Sequence, residues 1–216
     1  MIKAIFFDFD GVIYDSNEIK KNAFAELYKK YDKKIINDIS IHHLHNGGMS
    51  RYEKIKFYHS KFLKIKITKN DLNILCNKFS RILKKKIYHA KFIKGFNKFI
   101  NSNKLNFKCF VVSATPTNEL IKICKKKGIE KIFEKILGSP TSKKDNILYL
   151  IKKYNYKKKE VVYIGDALND YYAAIESKIN FIGFGKIFNN SKYNKDHNVL
   201  DYSKLIGLIN KLWNLI

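Results

Sequence analysis

Four aspartates and a serine stand where their side chains could do chemistry together. Asp8 and Asp10 lie in the stretch Phe6-Phe7-Asp8-Phe9-Asp10-Gly11-Val12-Ile13. Asp166 and Asp170 lie in Ile164-Gly165-Asp166-Ala167-Leu168-Asn169-Asp170, and Ser113 follows Val111-Val112 and precedes Ala114 and Thr115. Each group closes an apolar run. One aspartate after a strand is an ordinary helix N-cap. A set of them at matching strand ends is not, because converging carboxylates repel and raise one another's pKa unless a cation intervenes. A hard divalent cation with oxygen ligands, Mg²⁺ above all, resolves that crowding, so Asp8, Asp10, Asp166 and Asp170 are candidate metal ligands. The Ser113 hydroxyl, with backbone N–H groups of Ser113 and Ala114 near a helix start, makes an anion-binding arrangement.

The elements that must position these groups follow from hydrophobic pattern. Lys3–Phe7, Phe107–Val112, Glu160–Ile164 and Ile179–Phe184 read as continuous apolar strands, and Lys135–Leu137 as a brief one. Helical patterns fall between and after them, at Phe92–Ser102, Thr117–Lys127, Lys144–Tyr154, Leu168–Ser177 and Ser203–Leu215. The alternation predicts an α/β fold with a Rossmann-like parallel sheet, in which ligands bind beyond the carboxyl ends of the strands. From Ser16 to His89 no strand pattern occurs and three amphipathic helix faces do. The expected organisation is a core of 1–15 plus 90–216 and an inserted all-helical cap of 16–89, joined near Asp15 and near Ala90–Phe92.

Composition bounds the rest. The 216 residues are 45% hydrophobic, which suits a folded core. The formal charge is +24, with 43 Lys and Arg against 19 acids, and Arg51 and Arg81 are the two arginines. A nucleic-acid surface is one reading of that charge. The other is a compositional drift toward Lys, Asn, Ile, Tyr and Phe, which fits lysines spread along the whole chain better. Cys76, Cys109 and Cys124 form no CxxC and are expected as free buried thiols. No signal peptide or membrane-spanning segment is read, and the cytoplasm is the expected compartment. His42, His43 and His45 match no zinc spacing and read as a surface or hinge cluster.

Together, D-F-D-G-V-I-Y-D-S, V-V-S-A-T, S-P-T-S-K-K-D-N and I-G-D-A-L-N-D resemble the four ordered motifs of the haloacid dehalogenase superfamily of phosphohydrolases. They span Asp8 to Asp170, and a helical cap after the first motif is a standard variant of that fold. The resemblance implies that Asp8 is the nucleophile that becomes an aspartyl phosphate. It implies that Asp10 is the general acid and base. It implies that Mg²⁺ is held by the Asp8 carboxylate, the Asp10 backbone carbonyl and Asp166, with Asp170 in support. Ser113 would bind the transferring phosphoryl group, and a lysine of the third motif would balance its charge. Spacing favours Lys143, with Lys144 adjacent and open. In the cap, Gly47-Gly48-Met49-Ser50-Arg51 resembles the substrate loop of the β-phosphoglucomutase branch, where the arginine holds the non-transferring phosphate. Gly48, Ser50 and Arg51 are therefore substrate candidates, although a surface arginine near a helix start is an equally open reading.

The implied activity is Mg²⁺-dependent hydrolysis of a small phosphorylated metabolite, a sugar phosphate or a phosphoglycolate-like acid, by a monomer or homodimer. A sugar phosphomutase is the alternative enzyme, favoured by DGVIYDS and the Arg51 loop. It is opposed by the phosphatase form of I-G-D-A-L-N-D and by the lack of a K-P-x-P third motif. A nucleic-acid-binding protein on a retired core is the alternative of another kind. The complete acid set opposes it.

Overall fold

Apolar runs with no alternation form strands that are covered on both faces, and the sheet follows from that rule. The structure is a computed structural model and describes residues 1–103, 106–188, 193 and 197–214. Among these, the strands are β1 (Ala4–Phe7), β2 (Lys108–Pro116), β3 (Lys135–Ser139), β4 (Val161–Gly165), β5 (Asn180–Phe184) and β6 (Asn198–Val199). They form one parallel sheet in the order β3-β2-β1-β4-β5-β6. β1 is central, with Phe7 aligned to Val111 of β2 and to Ile164 of β4. Ile5 and Phe7 face one core layer and Ala4 and Phe6 the other, and all four are fully buried.

The helices are α1 (Asn17–Leu27), α2 (Lys33–His45), α3 (Arg51–Phe57), α4 (Lys69–Ile87), α5 (Phe96–Asn103), α6 (Thr117–Lys126), α7 (Lys143–Lys153), α8 (Leu168–Ser177) and α9 (Leu205–Asn214). Helices α7 and α8 cover one sheet face through Ile147, Leu150 and Ala174; α5, α6 and α9 cover the other through Phe96, Ile123 and Ile209. The last residue of the expected C-terminal helix, Leu215, lies outside the described residues. Two strand readings change. β6 is two residues long, too short to leave a sequence pattern. β2 runs four residues past Val112, through Ser113, and shifts register against β3 between Val112 and Pro116.

Helices α1 to α4 fill the stretch between β1 and α5, with no strand inside it. Its two ends lie side by side. Asp15 N–H donates to Lys91 C=O at 2.9 Å, and Ile93 N–H donates to Ile13 C=O at 3.0 Å. Phe24, Tyr58 and Phe79 pack together inside it, with ring centroids 5.5 Å (Phe24–Tyr58) and 4.2 Å (Phe24–Phe79) apart. The three cysteines are free and buried. Among the described residues no helix is long and apolar enough to cross a membrane.

Candidate active site

The central position of β1 brings the acids together. Asp8 directly follows β1, Asp166 directly follows the adjacent β4, and Asp170 lies in the first turn of α8. Carboxylate oxygens of Asp8, Asp166 and Asp170 all lie within 4.8 Å of one another. Gly11, at φ +79°, lets the loop after β1 fold against this cluster: a Cβ there would stand 1.9 Å from Asp166 Oδ2.

Of the two candidate lysines, Lys143 is the one that enters the cluster. Its Nζ lies 2.5 Å from Asp170 Oδ1 and 3.2 Å from Asp8 Oδ2, and the residue is buried. Lys144 is turned outward to Glu176, at 3.1 Å. Burial alone would lower the Lys143 pKa, but the charges of Asp170 and Asp8 outweigh it and raise it. Asp170 is held on three sides. Lys143 and the Tyr163 hydroxyl (2.6 Å) donate to Oδ1, and Ala167 N–H donates to Oδ2 at 3.1 Å. Asp166 Oδ2 accepts from Asn17 Nδ2 at 3.1 Å. Asp8 is 3% exposed, and its Oδ1 has no hydrogen-bond partner among the described residues.

One ammonium does not neutralise three carboxylates. Burial, with Asp170 and Asp10 beside it, pushes the Asp8 carboxyl up to about 7 against the pull of Lys143. Burial and the charges of Asp8 and Asp170 hold Asp166 well above its ordinary value. Asp10 differs. Burial pushes it up, but the Lys20 charge and hydrogen bonds from Lys20, Ser16 and Thr115 outweigh this and keep the carboxyl below the usual range. Lys20 pairs with Asp10 Oδ2, Thr115 Oγ1 donates to the same oxygen at 2.9 Å, and Ser16 Oγ donates to Oδ1.

A cleft of about 510 Å³ opens beside the cluster. Ser113, Ala114 and Lys143 line it from the sheet side, and Gly48, Ser50 and Tyr52 from the helical side. Gly48 comes close enough that a Cβ would lie 3.4 Å from Lys143 Nζ and 2.8 Å from Asn169 Cβ. Ser50 caps α3, accepting from Glu53 N–H at 3.3 Å, while Glu53 accepts from Ser50 N–H at 3.0 Å.

Arg51 does not line this cleft. Its Nη1 and Nη2 donate to Glu119 Oε1 (2.7 Å) and Oε2 (2.5 Å) on α6, and Nη1 also donates to Ser80 Oγ on α4. The guanidinium lies over the Phe79 ring, 4.8 Å from its centroid. Replacing Arg51 with Met leaves the half-buried Glu119 without its buried partner and is expected to lower unfolding free energy by about 1–3 kcal/mol in urea titration. A loss below about 0.5 kcal/mol would mean that solvent screens the pair.

The sequence reading missed two groups beside Asp10, Lys20 and Lys54, and misplaced a third, His43. Lysine type carries no signal in this chain, although Lys20 does follow Ser16 at helical i, i+4 spacing. The histidine reading is corrected for His43. It is 3% exposed, not on the surface, because α2 turns it inward against Phe24 and to the Lys54 ammonium, whose Nζ lies 2.8 Å from its Nδ1. Burial, then the neighbouring Lys20 charge, pushes Lys54 down to about 7.

Fold and site together define a Rossmann-like α/β protein with an acid cluster at the carboxyl ends of its central strands. The chain belongs to the haloacid dehalogenase-like hydrolase family, whose model matches residues 5–184. Its fold is shared with a β-phosphoglucomutase from Clostridium difficile (TM-score 0.81, 21% identity, 100% of this chain and 98% of that one). It is shared too with a predicted phosphatase from Clostridium acetobutylicum (0.79, 18%, 98% and 99%) and a predicted phosphoglycolate phosphatase from Haemophilus somnus (0.74, 17%, 96% and 98%). No curated protein matches the chain in sequence.

Proposed function

We propose that the protein is a phosphatase that hydrolyses a small phosphorylated metabolite through an aspartyl phosphate on Asp8. One observation carries the reading: Asp8 presents a buried carboxylate oxygen, Oδ1, with no partner among the described residues, while Lys143 holds the other. Oδ1 would attack phosphorus as the bond to the leaving oxygen breaks. Asp10 in its protonated form would give its proton to that oxygen, and the carboxylate so formed would take a proton from the water that attacks the aspartyl phosphate and releases phosphate. The ionised form that Lys20 favours is the one this second step uses. Ser113 and Lys143 would bind the phosphoryl oxygens. Helices α1 to α4 would act as the cap, moving about the two hydrogen-bonded chain segments near Asp15 and Lys91 to admit substrate and exclude water.

The donor set fits a hard divalent cation: three carboxylates whose oxygens lie within 4.8 Å of one another, with the Lys143 ammonium alone among them too little to neutralise them. Asp8, Asp166 and the Asp10 backbone carbonyl would hold Mg²⁺, with Asp170 in support. Bound Mg²⁺ supplies positive charge between the anionic nucleophile and the anionic phosphate.

A metal and pH prediction follows. Without metal, folded Asp8 keeps its proton up to about 7, whereas the unfolded chain releases it near its ordinary value of 3.8. Between these values the folded state binds more protons, so this group's contribution to stability falls as pH rises. Mg²⁺ is therefore expected to raise Tm relative to EDTA more at pH 8 than at pH 5. An equal rise at both would show that the metal does not meet this cluster.

A screen of sugar phosphates and phospho-acids with Mg²⁺ tests the function, following free phosphate and, from glucose 1-phosphate, isomer formation. Phosphate release is expected. Isomer without net release, or no turnover of any phosphomonoester, overturns the reading.

A further inference from the structure

Arg51 is the cap's arginine beside the reacting end of the site, and it is already occupied. With Asp10, Ala114 and Thr115 it lines a chamber of only about 30 Å³, and Ala114 also lines the large cleft. An unpaired guanidinium there would meet any second anionic group on a substrate. Instead both of its terminal nitrogens are held by the carboxylate of Glu119, a residue of α6 on the sheet side. Bidentate pairing of this kind matches the planar fork of arginine to a carboxylate and leaves little for another anion. Ser80 Oγ also donates to Glu119 Oε1, at 2.6 Å. The other cations of the chamber are similarly engaged. Lys20 is paired with Asp10, and Lys54 is hydrogen-bonded to His43.

The large cleft, where the leaving group would sit, offers little to a second anion beyond the phosphoryl group that Ser113 and Lys143 would hold. Its lysines are paired, Lys143 with Asp8 and Asp170, and Lys144 with Glu176. Its lining adds Glu53 and a set of hydroxyls and amides, among them Tyr52, Thr141, Asn169 and Tyr172. These are groups that hydrogen-bond an uncharged, hydroxyl-bearing molecule.

We propose that Glu119 is a specificity-determining residue: by occupying Arg51 it restricts the site to phosphomonoesters whose leaving group is uncharged and hydroxyl-bearing. This rests on the phosphatase reading above and narrows its substrate class, away from phospho-acids and bisphosphates.

The test compares kcat/KM for glucose 1-phosphate with that for phosphoglycolate and for glucose 1,6-bisphosphate, in wild type and Glu119→Gln. Wild type is expected to favour glucose 1-phosphate over both by at least about tenfold. Glu119→Gln frees Arg51 and is expected to move both ratios at least about tenfold toward the substrates that carry a second anionic group, the scale of one buried charge contact. Adding Arg51→Met to Glu119→Gln should cancel that shift. A purely structural tie would change stability but not the ratios. Ratios within about twofold of wild type in Glu119→Gln, or persistence of the shift in the double variant, overturn the proposal. If Glu119→Gln does not fold, the wild-type preference decides, and a preference for either substrate with a second anionic group overturns it. Phosphate release without charge discrimination sinks this inference alone, whereas release from none of the three and from no other phosphomonoester sinks the phosphatase reading beneath it.

Discussion

Asp8→Asn is expected to abolish phosphate release, by at least ~10⁴-fold in kcat, while leaving the protein folded. The amide keeps the shape of the carboxylate and removes the attacking lone pairs of an anion. Its effect on stability should run the other way. Burial and neighbouring acids push the Asp8 carboxyl up to about 7, so at pH 8 its ionised form strains the metal-free fold. A neutral Asn relieves this, and Lys143 keeps its contact with Asp170. Thermal melts in EDTA at pH 8 should therefore show the variant at least as stable as wild type. An inactive but destabilised variant would instead indicate lost structure, and an active one would remove Asp8 from the chemistry.

Lys143→Met should have the second-largest effect. Among the described residues the lysine is the one cation within ion-pair distance of Asp8 and Asp170, and it holds the Asp8 pKa down against burial. Without it the metal-free Asp8 carboxyl rises further, which favours the protonated form, a poorer nucleophile. The phosphoryl group also loses a charge partner. Activity at pH 7 is expected to fall ~10²–10³-fold. The ascending limb of the pH–rate profile should move to higher pH, recovering part of the loss. A uniform loss at every pH would mean that Lys143 acts on the phosphoryl group alone. Lys144→Met, on a side chain turned out to Glu176, offers the comparison.

How far this site could be read in the sequence depended on what fixes each residue. Asp8 and Asp166 follow apolar runs, and a parallel sheet puts all strand ends on one side, so their meeting was legible from pattern alone. Asp170 comes with them through the helix start. Choosing between Lys143 and Lys144 was harder. Neighbouring helical residues point about 100° apart, and only the packing of α7 against the sheet shows which one turns inward. The Arg51–Glu119 pair crosses 68 positions and joins two separately packed regions, so no local pattern announces it. Lys20 and Lys54 were obscured by composition. In a chain with 43 Lys and Arg, a functional lysine is visible only through its burial and partners. The stretch of β2 beyond Val112 was missed because Ser113, Thr115 and Pro116 carry no apolar signal while the backbone stays extended.

The central claim is that Asp8 is the phosphoryl acceptor, and the covalent intermediate tests it most directly. Wild-type protein turning over glucose 1-phosphate with Mg²⁺ would be quenched in acid, digested and mapped by mass spectrometry. A phosphoryl group on Asp8, absent from Asp8→Asn, is the expected result. A phosphoryl group on another residue, or full turnover by Asp8→Asn with no phosphorylated peptide, would contradict the account.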